Sequence, residues 1–217
     1  MPLSPYTKTA LRLAVSSMVL ALTSQAHAIS DAQFQPAFDQ FLAANSGDSG
    51  AIDKAADAFD ALLKAEPSNP VLMAYAGSST ARRAANALAP WKKMGYAEDG
   101  LAMIDKALAM LKPAHDAVLQ HGTPGSLEVR FTAASTFLAV PSFMNRGARG
   151  AKLLGEVVNS PLLAQAPLPF QGNVWMRAAK LAAEEKRTDD ARKYLNEVIQ
   201  HNAPQAPAAK AQLASLS

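Results

Sequence analysis

The 217-residue chain has no cysteine. Disulfides, thiolate nucleophiles and cysteine-ligated metals are thereby excluded, as is a lipoprotein-type lipid anchor, so stability has to come from packing alone. Aromatic residues make up only 6% of the chain and charged residues 18%, against 49% hydrophobic residues. The sequence has no Asn-x-Ser/Thr sequon, G-x-S-x-G elbow, Walker loop, dinucleotide fingerprint or HExxH pair. Without these motifs the common hydrolytic, nucleotide-dependent and zinc-dependent chemistries have no residues to run on. The expectation is a protein that is not an enzyme and needs no cofactor or metal.

The chain opens with Lys8 and Arg12 ahead of an apolar run from Leu13 to Leu22, closed by Ala26-His27-Ala28. A basic start, a short apolar stretch and an Ala-x-Ala ending describe a secretory signal cleaved after Ala28; the run is too short to span a bilayer comfortably. Residues 1–28 are therefore expected to be a signal peptide and 29–217 a single domain of 217 − 28 = 189 residues, enough for a sizeable core. The expected compartment is the periplasm, with secretion into the medium as the alternative. Loss of Lys8 and Arg12 leaves 19 basic against 18 acidic residues, a net charge of +1. That balance argues against a nucleic-acid partner, and no transmembrane segment is expected in the mature chain.

Between Gly50 and Pro70 a small residue, Ala55, is followed at steps of four and three by Phe59 and Leu62, and then by Pro67. Gly100, Ile104, Ala107 and Pro113 repeat the spacing, and so do Ala191, Leu195, Val198 and Pro204. At 3.6 residues per turn these steps keep the small and apolar residues on one helical stripe, and proline ends the helix. Four further segments read as the helices that precede or accompany them. Residues 33–45 carry Phe34, Phe38, Phe41 and Leu42, with Pro36 in the first turn. Residues 70–88 open on an Asn69 cap and Pro70 and contain the small pair Ala76-Gly77. Residues 127–140, capped by Gly125 or Ser126, carry Leu127, Phe131, Ala134 and Leu138, and a helix from Trp175 carries Ala178, Ala179 and Ala182. A mid-helix glycine costs about 1 kcal/mol relative to alanine, so Gly77 is expected at a close helix contact. Residues 89–95 are expected to be a loop and 160–171, with three prolines, an extended connection. Near Ala148 to Asn159 two registers fit equally, one on Gly147, Ala151 and Leu154 and one on Gly150, Leu154 and Val157. Thr188 is placed to cap the last long helix and 203–217 to form a short terminal one.

This pattern resembles the tetratricopeptide repeat, a 34-residue helix-turn-helix unit. The resemblance implies an all-α fold, an α-α helical-hairpin solenoid of about four hairpins closed by a short C-terminal capping helix. Ala55, Gly100, Gly147 and Ala191 lie 45, 47 and 44 residues apart, an interval that also overlaps HEAT-type arrays, and the excess is assigned to loops. The segments PWKKMGYAEDGLAMIDKAL and VPSFMNRGARG are similar to small secreted bacterial repeat proteins associated with envelope transport systems. That likeness implies an interaction module, an accessory to such a system, whose partner is another envelope protein or peptide.

The mature histidines, His115, His121 and His201, form no metal-ligand spacing and read as surface or loop residues. Charge is more informative. Residues 29–66 hold seven acids and two bases, whereas 67–155 hold ten bases and five acids. A solvated face would explain such a block. The sharper expectation is an anion-accepting groove, since tetratricopeptide arrays bind peptides and carboxylates through lysine, arginine and asparagine on the concave side. The residues singled out are Arg82, Arg83, Asn86, Trp91, Lys92, Lys93, Arg130, Asn145, Arg146 and Arg149, with Arg82 and Arg83 expected to be free to fork onto a carboxylate. The alternative is a small-ligand or lipid carrier with an apolar pocket among Phe131, Phe137, Phe143, Trp91 and Met144. N-terminal sequencing of the exported protein should read from Ile29; Met1 retained on a membrane-bound chain would overturn the signal assignment.

Overall fold

The computed structural model describes residues 29–216, and the expected signal peptide lies outside the described residues. Nine α-helices follow among them: α1 (Asp31–Asn45), α2 (Ser49–Ala65), α3 (Pro70–Arg82), α4 (Pro90–Ala109), α5 (Gly125–Phe137), α6 (Gly147–Val158), α7 (Leu168–Glu184), α8 (Thr188–Gln200) and α9 (Ala206–Ser215). A two-stranded antiparallel ribbon, β1 (Val118–Gln120) and β2 (Thr123–Pro124), links α4 to α5. The all-α expectation holds. Each helix packs on its neighbour in sequence, and α3 also packs against α5.

Local chemistry explains most helix starts. The Ser30 backbone N–H donates to Gln33 Oε1 at 3.0 Å, which starts α1 at Asp31. That is two residues earlier than expected, so Pro36 lies in the second turn, where its missing N–H removes one helical bond. Asp48 Oδ1 accepts from the Gly50 N–H at 2.9 Å to open α2. Asn69 Oδ1 accepts from Val71 and Leu72 at 2.9 and 3.2 Å to open α3, with Pro70 at its first position as expected.

α3 is the centre of the N-terminal half. Every residue from Pro70 to Ala81 is buried, because α2, α4 and α5 surround it. The small run Ala76-Gly77-Ser78-Ser79 lets those neighbours come close. A Cβ on Gly77 would lie 2.7 Å from the Gly100 carbonyl oxygen and 2.9 Å from Met103 Cβ, and one on Gly100 would meet the Gly77 and Ala81 backbone closer still. Gly77 is at a close contact, as the sequence suggests, and its partner is Gly100.

Of the expected loop at 89–95, residues 90–95 are helix. Ala89 is extended and Pro90 occupies the first helical position, where its fixed φ and absent donor start a helix without loss. The excess length of this unit is thus the N-terminal half of α4, which reaches roughly 15 Å beyond the Gly100 crossing at 1.5 Å per residue. Residues 160–171 are also not extended. Pro161 starts a 3₁₀ turn to Gln165, and α7 begins at Leu168 with Pro169 in its first turn, ahead of the expected start at Trp175. These prolines sit where helices begin, the positions that tolerate them.

Three smaller points are also decided. A Cβ on Gly150 would lie 2.8 Å from Leu138 Cγ and 3.0 Å from Phe137 Cβ, whereas Gly147 faces open space, so the register is Gly150, Leu154 and Val157. Neither Gly125 nor Ser126 caps α5: the residue before the helix is Pro124, and Ser126 Oγ donates to Asp116 Oδ1. Thr188 is the first residue of α8 and not its cap, and Asp189 and Asp190 fall in the first turn, where the helix dipole favours acids. α9 is the expected terminal helix, its Ala209 fully buried against the C-terminal core that contains Trp175, Leu195 and Val198.

Gly100→Val should destabilise the protein by about 1–3 kcal/mol through overpacking, although valine forms helices better than glycine. Gly95→Ala, where nothing lies within 4 Å of the Cβ position, should leave stability unchanged or raise it by roughly 0.5–1 kcal/mol. Urea unfolding of the two variants checks both; equal midpoints would refute the close-contact assignment.

Candidate partner-binding face

Trp91, Met94, Glu98, Leu101 and Asp105 follow one another on α4 at steps of three and four, hence on one face. Leu101 is buried at the inner end, while Met94 is 39% and Trp91 76% exposed toward the overhanging end. Opposite them, Ser142–Met144 form a 3₁₀ turn after Pro141, with Phe143 65% exposed. Asn145 then takes a left-handed conformation, φ 55°, which asparagine tolerates, and turns the chain into α6. Met94, Glu98, Leu101, Ala102 and Asp105 on one side and Phe143, Met144 and Arg146 on the other enclose an open cleft of about 390 Å³.

Arginines close the inner end of this cleft. Arg146 Nη1 lies 3.0 Å from Asp105 Oδ2, Arg149 pairs with the other oxygen, and both guanidinium groups sit over the Phe137 ring at 5.3 and 5.2 Å from its centroid. Two cations share one carboxylate, so a positive charge is left over. At the outer end Lys92 and Lys93 are exposed and form no ion pair among the described residues. Leu88, 98% exposed, precedes Pro90 on the same overhang.

The other sequence-selected residues lie elsewhere. Arg83 is not free: its Nε donates to Asp53 at 3.0 Å, its Nη2 pairs with Asp57, and Asp60 lies 3.9 Å away. Arg82 donates to Asn45 Oδ1, and Asn86 Nδ2 donates to the Ser49 carbonyl at 2.9 Å. All three tie the end of α3 to α1 and α2, where three carboxylates outnumber the Arg83 cation. Arg130 spans α5 to α6, 3.9 Å from Glu156. Of the sequence-selected residues, Arg146 lines the cleft, Arg149 shares Asp105 with it and Asn145 forms the turn before it, while Trp91, Lys92 and Lys93 are exposed at the start of α4 and Arg82, Arg83, Asn86 and Arg130 are engaged at helix junctions. The apolar residues chosen for a carrier pocket do not converge either. Phe137 is in the core and Phe131 packs on Phe170 at 5.3 Å; only Phe143 and Met144 line the cleft.

Sequence reading missed Met94, Glu98, Leu101 and Asp105, because a loop at 89–95 hides the stripe they form. It also missed a buried polar cluster. Glu128 on α5 is 2% exposed, accepts from the Tyr75 hydroxyl at 2.9 Å, and faces His121 Nε2 at 3.6 Å. His121 and Gly122, both at positive φ, form the turn of the ribbon, and the His121 ring lies edge-on to Phe34 and Phe38 at 4.3 and 4.5 Å. It is a loop histidine as expected, but half-buried. Burial lowers its pKa against the opposing pull of Asp31. Burial pushes the Glu128 carboxyl up to about 8, opposed by the Tyr75 hydrogen bond and reinforced by the Asp31 carboxylate. The one available signal was the acid itself, set between Leu127 and Val129 in a segment otherwise read as apolar.

Among the described residues no three His, Cys, Asp or Glu side chains are grouped to hold a metal ion, and no helix is long and apolar enough to cross a membrane. Comparison of the chain with family models, with curated proteins and with solved structures finds no match.

A carboxyl whose pKa is raised on folding keeps a proton in the native state that the unfolded chain has lost. Glu128 should therefore make stability fall as pH rises from near its ordinary 4.5 to about 8. Glu128→Gln preserves the neutral shape and should flatten that slope in melting temperatures taken across the window; an unchanged slope would show that Glu128 is ionised in the fold.

Proposed function

We propose that the protein is an exported helical interaction module that docks a segment of another envelope protein in the cleft between α4 and the Phe143 turn. The observation that carries this reading is the position of the exposed apolar side chains. Of the six large hydrophobic residues exposed among the described residues, Trp91 and Met94 lie on the α4 overhang, Leu88 just ahead of it and Phe143 on the turn facing it. A monomer gains nothing from a Trp at 76% and a Phe at 65% exposure, and tryptophan is among the residues that dominate binding energy at interfaces. Lys92, Lys93 and the surplus cation of the Arg146–Arg149–Asp105 group favour an apolar partner segment with acidic flanks.

A tetratricopeptide-like arrangement of helical hairpins agrees with the Gly77–Gly100 contact and with the proline stops, and the signal sequence agrees with a periplasmic or secreted location. A docking role as accessory to an envelope transport system is consistent with both. Binding, not catalysis, is the role the cleft suits: its polar groups are one paired aspartate, one exposed glutamate and arginines already engaged. Carriage of a lipid is less well supported, since the cleft is open and the large aromatics are dispersed.

Photocrosslinkers at Trp91 and at Phe143 should capture the same envelope protein in cells, whereas one at Lys180 on α7 should not. Trp91→Ala with Phe143→Ala should weaken that capture at least tenfold, a loss of about 1.4 kcal/mol or more, with the melting temperature nearly unchanged. Lys92→Ala with Lys93→Ala should weaken it less and reduce its salt dependence. Arg83→Ala should instead lower stability. Full-strength capture by the Trp91 and Phe143 double variant would exclude the cleft as the docking site.

A further inference from the structure

Chain termini usually fray unless something ties them down. Ile29 is only 7% exposed, and its backbone nitrogen donates to Glu66 Oε1. Its carbonyl oxygen accepts from Gln120 Nε2 at 3.4 Å, and two residues on, Asp31 Oδ1 accepts from the His121 N–H at 2.9 Å. The residue that follows the expected cleavage point is thus held by the end of α2 on one side and by the ribbon on the other. Glu66 is itself fixed. It stands at the C-terminal cap of α2, and its second oxygen accepts from Asn69 Nδ2 at 2.8 Å, the same Asn69 whose Oδ1 opens α3.

Glu66 has no lysine, arginine or histidine partner among the described residues; its two oxygens meet one backbone nitrogen and one amide. An amide N–H offers that carboxylate a single donor and no charge. A free α-amino group at the same position would offer three donors and a full positive charge. We propose that cleavage after Ala28 makes the cation for which Glu66 is positioned, so that the mature N-terminus is an anchoring site built into the fold. In the cleavage, water adds to the Ala28 carbonyl and the peptide C–N bond breaks; the proton that the new Ala28 carboxyl gives up goes to the departing amine, leaving a carboxylate on Ala28 and an α-ammonium on Ile29. The ammonium then pairs with Glu66 and draws the first turn of α1, the end of α2, the start of α3 and the ribbon into one junction. Processing thereby stabilises the released form over the precursor. The inference rests on the export reading and adds to it the residue that receives the new terminus.

The test compares four proteins: residues 29–217 with a free Ile29 amine, the same chain extended by one alanine ahead of Ile29, and each of these with Glu66→Gln. The extension should lower the melting temperature when Glu66 is present and have little further effect when it is glutamine. Equal effects of the extension in both backgrounds would overturn the pairing. NMR titration of the free chain gives a second readout that does not depend on the Glu66→Gln variant folding. Its α-amine should titrate above the ordinary range of about 7.7–8.0, and a value inside that range would overturn the pairing as well. The mass of the chain recovered from the periplasm separates the two readings. A chain starting at Ile29 without coupling to Glu66 leaves export standing and removes this inference, whereas a chain retaining Met1 removes both.

Discussion

The approach of α3 to α4 at Gly77 and Gly100 is the constraint on which the N-terminal half depends. With no Cβ at either position the two backbones come into contact, and Ala81, Met103 and Ile104 close around them. Once α4 is held this near, α3 has no solvent-facing side left: α2 and α5 take its other faces, and Pro70 to Ala81 are all buried. A helix buried on every face needs small side chains, and the Ala-Gly-Ser-Ser run supplies them. The same contact fixes where α4 lies along α3, and so which part of α4 overhangs. The proposed docking face is that overhang.

Electrostatics divides the surface in a related way. Between the acidic residues 29–66 and the basic 67–155 one cation is matched closely: Asp53, Asp57 and Asp60 on α2 surround Arg83 at the end of α3. A guanidinium held by hydrogen bonds to fixed carboxylates has little left to offer a ligand. Asp105 engages Arg146 and Arg149 in the same manner, but there two cations share one acid. One positive charge therefore survives within the Arg146–Arg149–Asp105 group, with Glu98 farther along the same cleft, and Lys92 and Lys93 keep theirs next to exposed Trp91, whereas the charge of Arg83 is cancelled at the α2–α3 junction.

Around the ribbon, polar groups are buried where an all-helical core has few places for them. The His121-Gly122 turn needs positive φ at both residues, and this sets the imidazole against Phe34 and Phe38 while bringing Gln120 to the Ile29 carbonyl. Tyr75 from α3 reaches Glu128 from α5 beneath it. α1, α3, α5 and the ribbon are thus linked by hydrogen bonds in addition to apolar contact, close to the point where the described chain begins. A proton on Glu128 lowers the cost of burying that carboxyl, since desolvation penalises the charged form.

Helical periodicity, proline stops and the small residues at Ala55, Gly77, Gly100 and Ala191 were legible in the sequence, because the requirement that a stripe be apolar or small is local and repeats every turn. The Asn69-Pro70 start and the short terminal helix were legible for the same reason: capping depends on a few neighbouring residues. What Pro90 does was not legible. A proline suits a loop or a first helical turn equally, and only the packing of Gly100 against Gly77 makes the continuous helix the better solution. Gly147 and Gly150 were likewise equivalent until Phe137 and Leu138 on α5 stood against one of them. The fate of each charge was least legible of all. Arg83 and Lys93 are similar in sequence, but one faces three aspartates of the preceding helix and the other faces solvent, and that difference arises only from how α2 and α3 pack.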